Sequence, residues 1–162
     1  MRRNTLLITR AAVIAVLYVI LTFLCSAVGL ASGQLQLRLS DALAVLCAFT
    51  PAGVYGVTVG CLLANLLTGC MPTDVVLGTL ATLLGALGTR ALRRRGKYLA
   101  PVPTVLSNTL IIPLLLYFVY GVRPLWLGFV TVFTGEAVSC FALGLPLYSL
   151  IDRNRRALGL EE

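Results

Sequence analysis

Histidine is absent from this chain, lysine occurs once (Lys97), and only six of the 162 residues are acidic. Without histidine, the five cysteines (Cys25, Cys47, Cys61, Cys70 and Cys140) are an odd set with no C-x-x-C pair. That argues against a zinc site or a Cys/His nucleophile, and the thiols read as small apolar residues. Neither a metal nor a cofactor is expected. No nucleophile–base pair can be drawn, so the chain does not read as an enzyme. Lys97 follows Gly96 but precedes Tyr98, so the phosphate-binding G-x-x-x-x-G-K-[ST] loop fails and nucleotide hydrolysis is excluded. No helix carries a row of acids such as an ion-coupled pump uses. Charged residues make up 12% of the chain, about half the usual fraction of a soluble domain.

What is present is apolar: 59% of residues are hydrophobic and the mean hydropathy is +0.95. Basic residues give a net charge of +7, but they bracket apolar runs. Arg2, Arg3 and Arg10 precede or open the first run. Arg90, Arg93, Arg94, Arg95 and Lys97 crowd one short loop, and Arg153, Arg155 and Arg156 follow the last run. Basic residues so placed mark the cytoplasmic side of a membrane protein. They are not interleaved with aromatics as a nucleic-acid surface would require, so no nucleic-acid partner is expected.

Prolines at 51, 72, 101 and 124 each open an apolar run, where a missing N–H costs a helix nothing. The runs predict an all-α membrane protein of six transmembrane helices, near 6–24, 41–50, 51–68, 73–92, 101–120 and 125–151. A span needs about twenty apolar residues, so the second run is short: it begins in the preceding loop or crosses only partly. Pro113 and Pro146 should kink the last two helices. Six crossings put both termini and the 90–99 loop in the cytoplasm of a multi-pass cell-membrane protein. Residues 1–162 form one domain ending in a short polar tail, 152–162. The Arg2–Leu24 stretch mimics a signal peptide, but everything downstream is equally apolar, which favours a retained helix.

Small residues recur at four-residue spacing: Ala11 and Ala15; Gly56, Gly60 and Ala64; Gly78, Thr82 and Ala86; Thr131, Gly135 and Ser139. Such stripes pack helices closely in lipid, and internal packing is the plain reading of each. Between the first two runs, Leu35, Leu37 and Leu39 alternate with Gln36, Arg38 and Ser40 at the period of a strand. Extended backbone cannot face lipid, so this loop is either a structural plug or a lid over a ligand.

Asp152, Glu161 and Glu162 lie in the tail, whereas Asp41, Asp74 and Glu136 sit in or beside apolar runs. An ionised side chain at mid-membrane costs about 2.5–3.5 kcal/mol on insertion scales and generally faces a functional cavity. With Gln36, Arg38, Asn65 and Asn108 these acids compose a candidate polar pocket. Asp74 has a second reading as a helix-start acid favoured by the dipole. Asp41 has others, as a helix cap or a partner of Arg38 three positions back. Glu136 has no basic neighbour in sequence, and a pocket role fits it best. Tyr117, Phe118, Tyr120 and Trp126 either stack on a ligand or form an interfacial belt.

The stretches Gln36 to Leu43 (QLRLSDAL), Thr50 to Gly53 (TPAG), Gly60 to Leu67 (GCLLANLL) and Asp74 to Leu84 (DVVLGTLATLL), with Gly135-Glu136, resemble the QueT family of queuosine-precursor transporters. The likeness spans about residues 5–150. Two positions depart from the family pattern, which more often has glutamate at Asp41 and an aromatic at Thr73. The resemblance implies the substrate-binding (S) component of an energy-coupling-factor importer. Its partners would be a transmembrane T component and two ATPases, with Ala11 and Ala15 facing the T component. It implies a ligand site near the outer face for a deazaguanine base, queuine or its aminomethyl precursor. Glu136 would accept from the base's paired N–H donors, Asn65 and Asn108 would meet its carbonyl and ring nitrogens, and Asp41 or Asp74 would neutralise a cationic aminomethyl group. An S component for another small vitamin, or a structural membrane subunit without a ligand, are the competing readings.

Overall fold

The computed structural model describes residues 2–29 and 37–160, and among them there is no β-strand. Helix α1 (Arg2–Ala27) leads to a 3-10 segment (Leu39–Ala48), then α2 (Pro51–Leu67), α3 (Pro72–Ala91), α4 (Val102–Tyr120) and α5 (Leu125–Ala137). A π-helical segment (Val138–Leu143) joins α5 to α6 (Gly144–Arg153). Proline and threonine set the boundaries as the sequence suggests. Pro51 and Pro72 stand in the first turns of α2 and α3, and Thr50 caps α2 by accepting from the Ala52 N–H at 3.3 Å. Four helical stretches, Asn4–Ala27, Pro72–Ala91, Val102–Tyr120 and Leu125–Arg153, are long and apolar enough to cross a membrane, while Leu39–Ala48 and Pro51–Leu67 are apolar but shorter.

The short second run is not an α-helix. A 3-10 helix rises about 2.0 Å per residue against about 1.5 Å for an α-helix. Its ten residues therefore reach about 20 Å instead of about 15 Å. The segment lies inside the bundle, with Ser40, Asp41, Ala42, Leu43, Ala44, Val45, Cys47 and Ala48 buried. Glycines let the surrounding helices close on it. A Cβ on Gly53 would fall 2.7 Å from the Cys47 backbone nitrogen, and one on Gly144 would fall 3.1 Å from a Val45 methyl.

The stripes on α1, α2 and α3 pack against neighbouring helices. On α2, Gly56 meets Ile14 and the Ala11 carbonyl, and Gly60 meets Ala15 and Tyr18 of α1. Gly85 and Gly88 of α3 seat Thr104 and Pro103 of α4, where an added Cβ would come within 2.7 Å of backbone at Gly85. Pro113 lies within α4 and rests on Gly128 of α5. Pro146 has no N–H to give to the preceding turn, and the ladder widens just before it into the π segment.

One end of the bundle gathers Phe49, Ala100, Ile151 and Leu160 into an apolar cluster. There Arg10 donates to the carbonyls of Leu158 (2.8 Å) and Gly159 (3.2 Å), and Thr89 donates to the carbonyl of Ala100 at 2.8 Å. The tail thus docks on the helices. The first helix's start, the basic loop and the tail share this end, and Arg123 lies beyond the far end of α4. Basic residues concentrate at this end, and the positive-inside rule then expects an impermeant maleimide to label Arg123→Cys in intact cells but Lys97→Cys only after permeabilisation. Labelling of position 97 in intact cells would reverse the orientation.

Candidate ligand-binding site

Side chains from five helices and the 3-10 segment meet in one buried polar cluster. Asp41, at the start of the 3-10 segment, is 1% exposed. Its Oδ1 accepts the Tyr18 hydroxyl of α1 at 2.6 Å, and its Oδ2 is buried with no hydrogen-bond partner. Next to it on the chain, Ser40 accepts the Thr22 hydroxyl at 3.0 Å. Asp41 therefore neither caps its own segment nor projects from a lid. Arg38, half-buried and extended (φ −109°, ψ 93°), stands within charge range of Asp41, Tyr18, Cys61 and Glu136.

Glu136, in the last turn of α5, is 3% exposed and faces Asp41 and the Asn108 amide of α4. Cys140, within the π segment, lies 3.6 Å from the Asp41 carbonyl and 3.8 Å from Glu136 Oε2, so its single S–H serves either acceptor. On the opposite flank, Asn65 of α2 donates to Cys61 Sγ at 3.5 Å, and Thr82 of α3 donates to the same sulfur at 3.3 Å. Gly78 makes room for the Asn65 amide, which is 3.0 Å from where a Cβ would stand. The result alternates acceptors (Asp41, Glu136) with donors (Arg38, Tyr18) and two-way amides (Asn65, Asn108). A planar heterocycle with mixed donor and acceptor edges matches that pattern.

Asp74 does not join this cluster. It sits in the first turn of α3, and its carboxylate accepts the hydroxyl of Tyr120 at the end of α4. Its role there is to tie two helix ends, alongside the favourable placement of an acid at a helix start. Phe118 and Trp126 are 78% and 65% exposed, pointing away from the cluster as a lipid-facing belt does. Tyr117 packs edge-on to Phe118 beneath Arg123. Gln36 and most of the alternating loop lie outside the described residues.

Helical order and buried acids alone fit many membrane proteins, but a family model adds sequence over nearly the whole chain. The model described as QueT transporter matches residues 8–153. The chain belongs to the QueT transporter family. A protein of Lactococcus lactis subsp. cremoris (strain MG1363), named as a queuosine precursor transporter, is 35% identical over 77 residues. That alignment covers 48% of this chain and 45% of the relative, so it spans less than half the length of each. No solved structure matches.

Within this QueT-family chain, Tyr18, Cys61, Thr82 and Cys140 join the cluster without having stood out in the sequence. The cysteines look there like any small apolar residue. A partial signal existed for the other two. Tyr18 falls one turn after Ala15 on the stripe that meets α2, and Thr82 falls one turn after Gly78.

Proposed function

We propose that this chain is the substrate-binding component of an energy-coupling-factor importer and captures a queuosine precursor, a deazaguanine base, at the outer half of the membrane. The observation that carries the reading is the buried meeting of Glu136, Asp41, Asn65 and Asn108. Buried polar side chains in an apolar bundle mark a ligand path in membrane proteins. A deazaguanine edge offers a ring N–H and an exocyclic amine together, two donors that one carboxylate accepts side by side. Glu136 fills that role with Asn108 beside it, and Asn65 serves the far side of the base. Arg38 closes the site from the chain just before the 3-10 segment, and Asp74 shapes its rim.

In this reading the chain crosses the cell membrane six times, the 3-10 segment making the shortest crossing, and both ends face the cytoplasm. It is not an enzyme and draws energy from a T component and two ATPases. A shallow apolar groove of about 370 Å³ runs between α1 and α2, lined by Leu7, Ile8, Ala11, Ala12, Ala15 and Val59 among others. It suits a partner helix. Because Ala15 is buried against Gly60, the groove is best filled at Ala11 alone.

Glu136→Gln keeps the shape but turns one acceptor oxygen into a donor facing a ligand N–H. Loss of a buried charged partner costs about 2–5 kcal/mol. Calorimetric titration with a deazaguanine should show at least a thirtyfold weaker complex on that scale. Binding within a few-fold of the parent would remove Glu136 from the site. Separately, Ala11→Trp should keep ligand affinity while losing uptake and co-purification with the T component and ATPases. Undiminished uptake would move the docking surface elsewhere.

A further inference from the structure

Asp41 and Glu136, the two buried carboxyls of the cluster, lie in hydrogen-bonding contact with each other. Two ionised carboxylates cannot make that bond, because each only accepts. Their surroundings point the same way. Among the described residues, one cation, Arg38, faces the two acids. The other ionisable groups turned toward them are the Tyr18 hydroxyl of α1 and the thiols of Cys61 on α2 and Cys140 in the π segment. To the cluster α3 and α4 bring the uncharged Thr82 and Asn108, and α6 packs Gly144 on Ala42 and Val45. Like charges in contact inside an apolar bundle do not both ionise, and such a pair keeps one proton. Asp41 has an oxygen free to take it: Oδ1 accepts from Tyr18, whereas Oδ2 is buried and receives no other donor. Asp74 Oδ1 is unpaired as well, at a part-exposed helix start beside Tyr120. Asp41 differs in having a second buried carboxyl as its neighbour.

We propose that Asp41 and Glu136 share one proton, and that Asp41 is a positioning residue that holds this proton while Glu136 binds the ligand. The inference rests on the deazaguanine reading above for Glu136 and adds the protonation of the site. In the empty site the proton belongs to the pair. When the two N–H donors of the base dock on Glu136, they favour its charged form, and the proton passes to Asp41 Oδ2. No proton leaves the site in that step. Asp41, now a neutral acid, donates to Glu136 and holds its carboxylate in place, and Tyr18 fixes Asp41 in turn.

Asparagine has the shape of a protonated aspartate: its amide can accept from Tyr18 and donate to Glu136. Calorimetric titration with 7-cyano-7-deazaguanine near neutral pH should find Asp41→Leu, which leaves Tyr18 and Glu136 unpaired, roughly ten- to a hundredfold weaker than wild type. Asp41→Asn should keep most of the affinity that Asp41→Leu loses. The folded wild type holds a proton that the unfolded chain gives up, so its thermal stability should fall as pH rises, and Asp41→Asn should show a flatter profile. Infrared spectra of the ligand-free protein at neutral pH read the proton itself. The carbonyl band of a protonated carboxyl should be present in the wild type and absent from both Asp41→Asn and Glu136→Gln. No such band in the wild type, or a folded Asp41→Asn protein that binds as poorly as Asp41→Leu, would overturn the proposal and leave the deazaguanine reading standing. A wild type that shows the band but binds no deazaguanine would overturn that reading and uphold the shared proton. If Asp41→Asn does not fold, the spectra of the wild type and Glu136→Gln decide.

Discussion

A carboxylate inside an apolar helix bundle has to be answered by hydrogen bonds or charge, and here the answer organises the molecule. Asp41 is held by Tyr18 from α1, touched through its carbonyl by Cys140 of the π segment, and placed beside Arg38 and Glu136. Those partners lie on the first and last thirds of the chain. Satisfying one side chain therefore fixes how α1, the 3-10 segment and the α5–α6 rod sit against each other.

Bringing that aspartate to the centre requires unusual backbone on either side. Ten apolar residues are too few to cross as an α-helix, and the longer rise of a 3-10 helix carries them further through the bundle. Poorer hydrogen-bond geometry is the cost of that stretch. Burial of eight of the ten residues, packed close against Gly53 and Gly144, offsets it. The π segment after Glu136 is a second departure, and it turns Ser139 and Cys140 into the interior beside the acid. Both departures adjoin the polar cluster, the usual setting for such segments.

Much of the architecture could be read from residues alone. Prolines at 51 and 72 marked helix starts, and basic residues sorted themselves to one end. The acids and amides at 41, 65, 108 and 136 were identifiable because polarity is conspicuous in an apolar run. Conformation was harder: an apolar decapeptide carries no period that separates a 3-10 segment from a partial α-helix, and Pro146 signals a disturbance without saying that a π turn absorbs it. Side-chain partners were harder still. Asp74 and Asp41 look equivalent in sequence, yet one ties Tyr120 at a helix end and the other is buried with Tyr18. Tyr18, Cys61 and Cys140 sit in stretches where a single hydroxyl or thiol is indistinguishable from packing.

The proposed function requires that this cluster hold a deazaguanine. The most direct test is to purify the chain in detergent from cells grown in rich medium, release bound small molecules by denaturation, and weigh them by mass spectrometry. A queuosine precursor with a deazaguanine core, released in near-stoichiometric amount from the wild type and absent from Glu136→Gln, is the predicted result. Stoichiometric release of a different vitamin, or of the same base from both proteins, would contradict it.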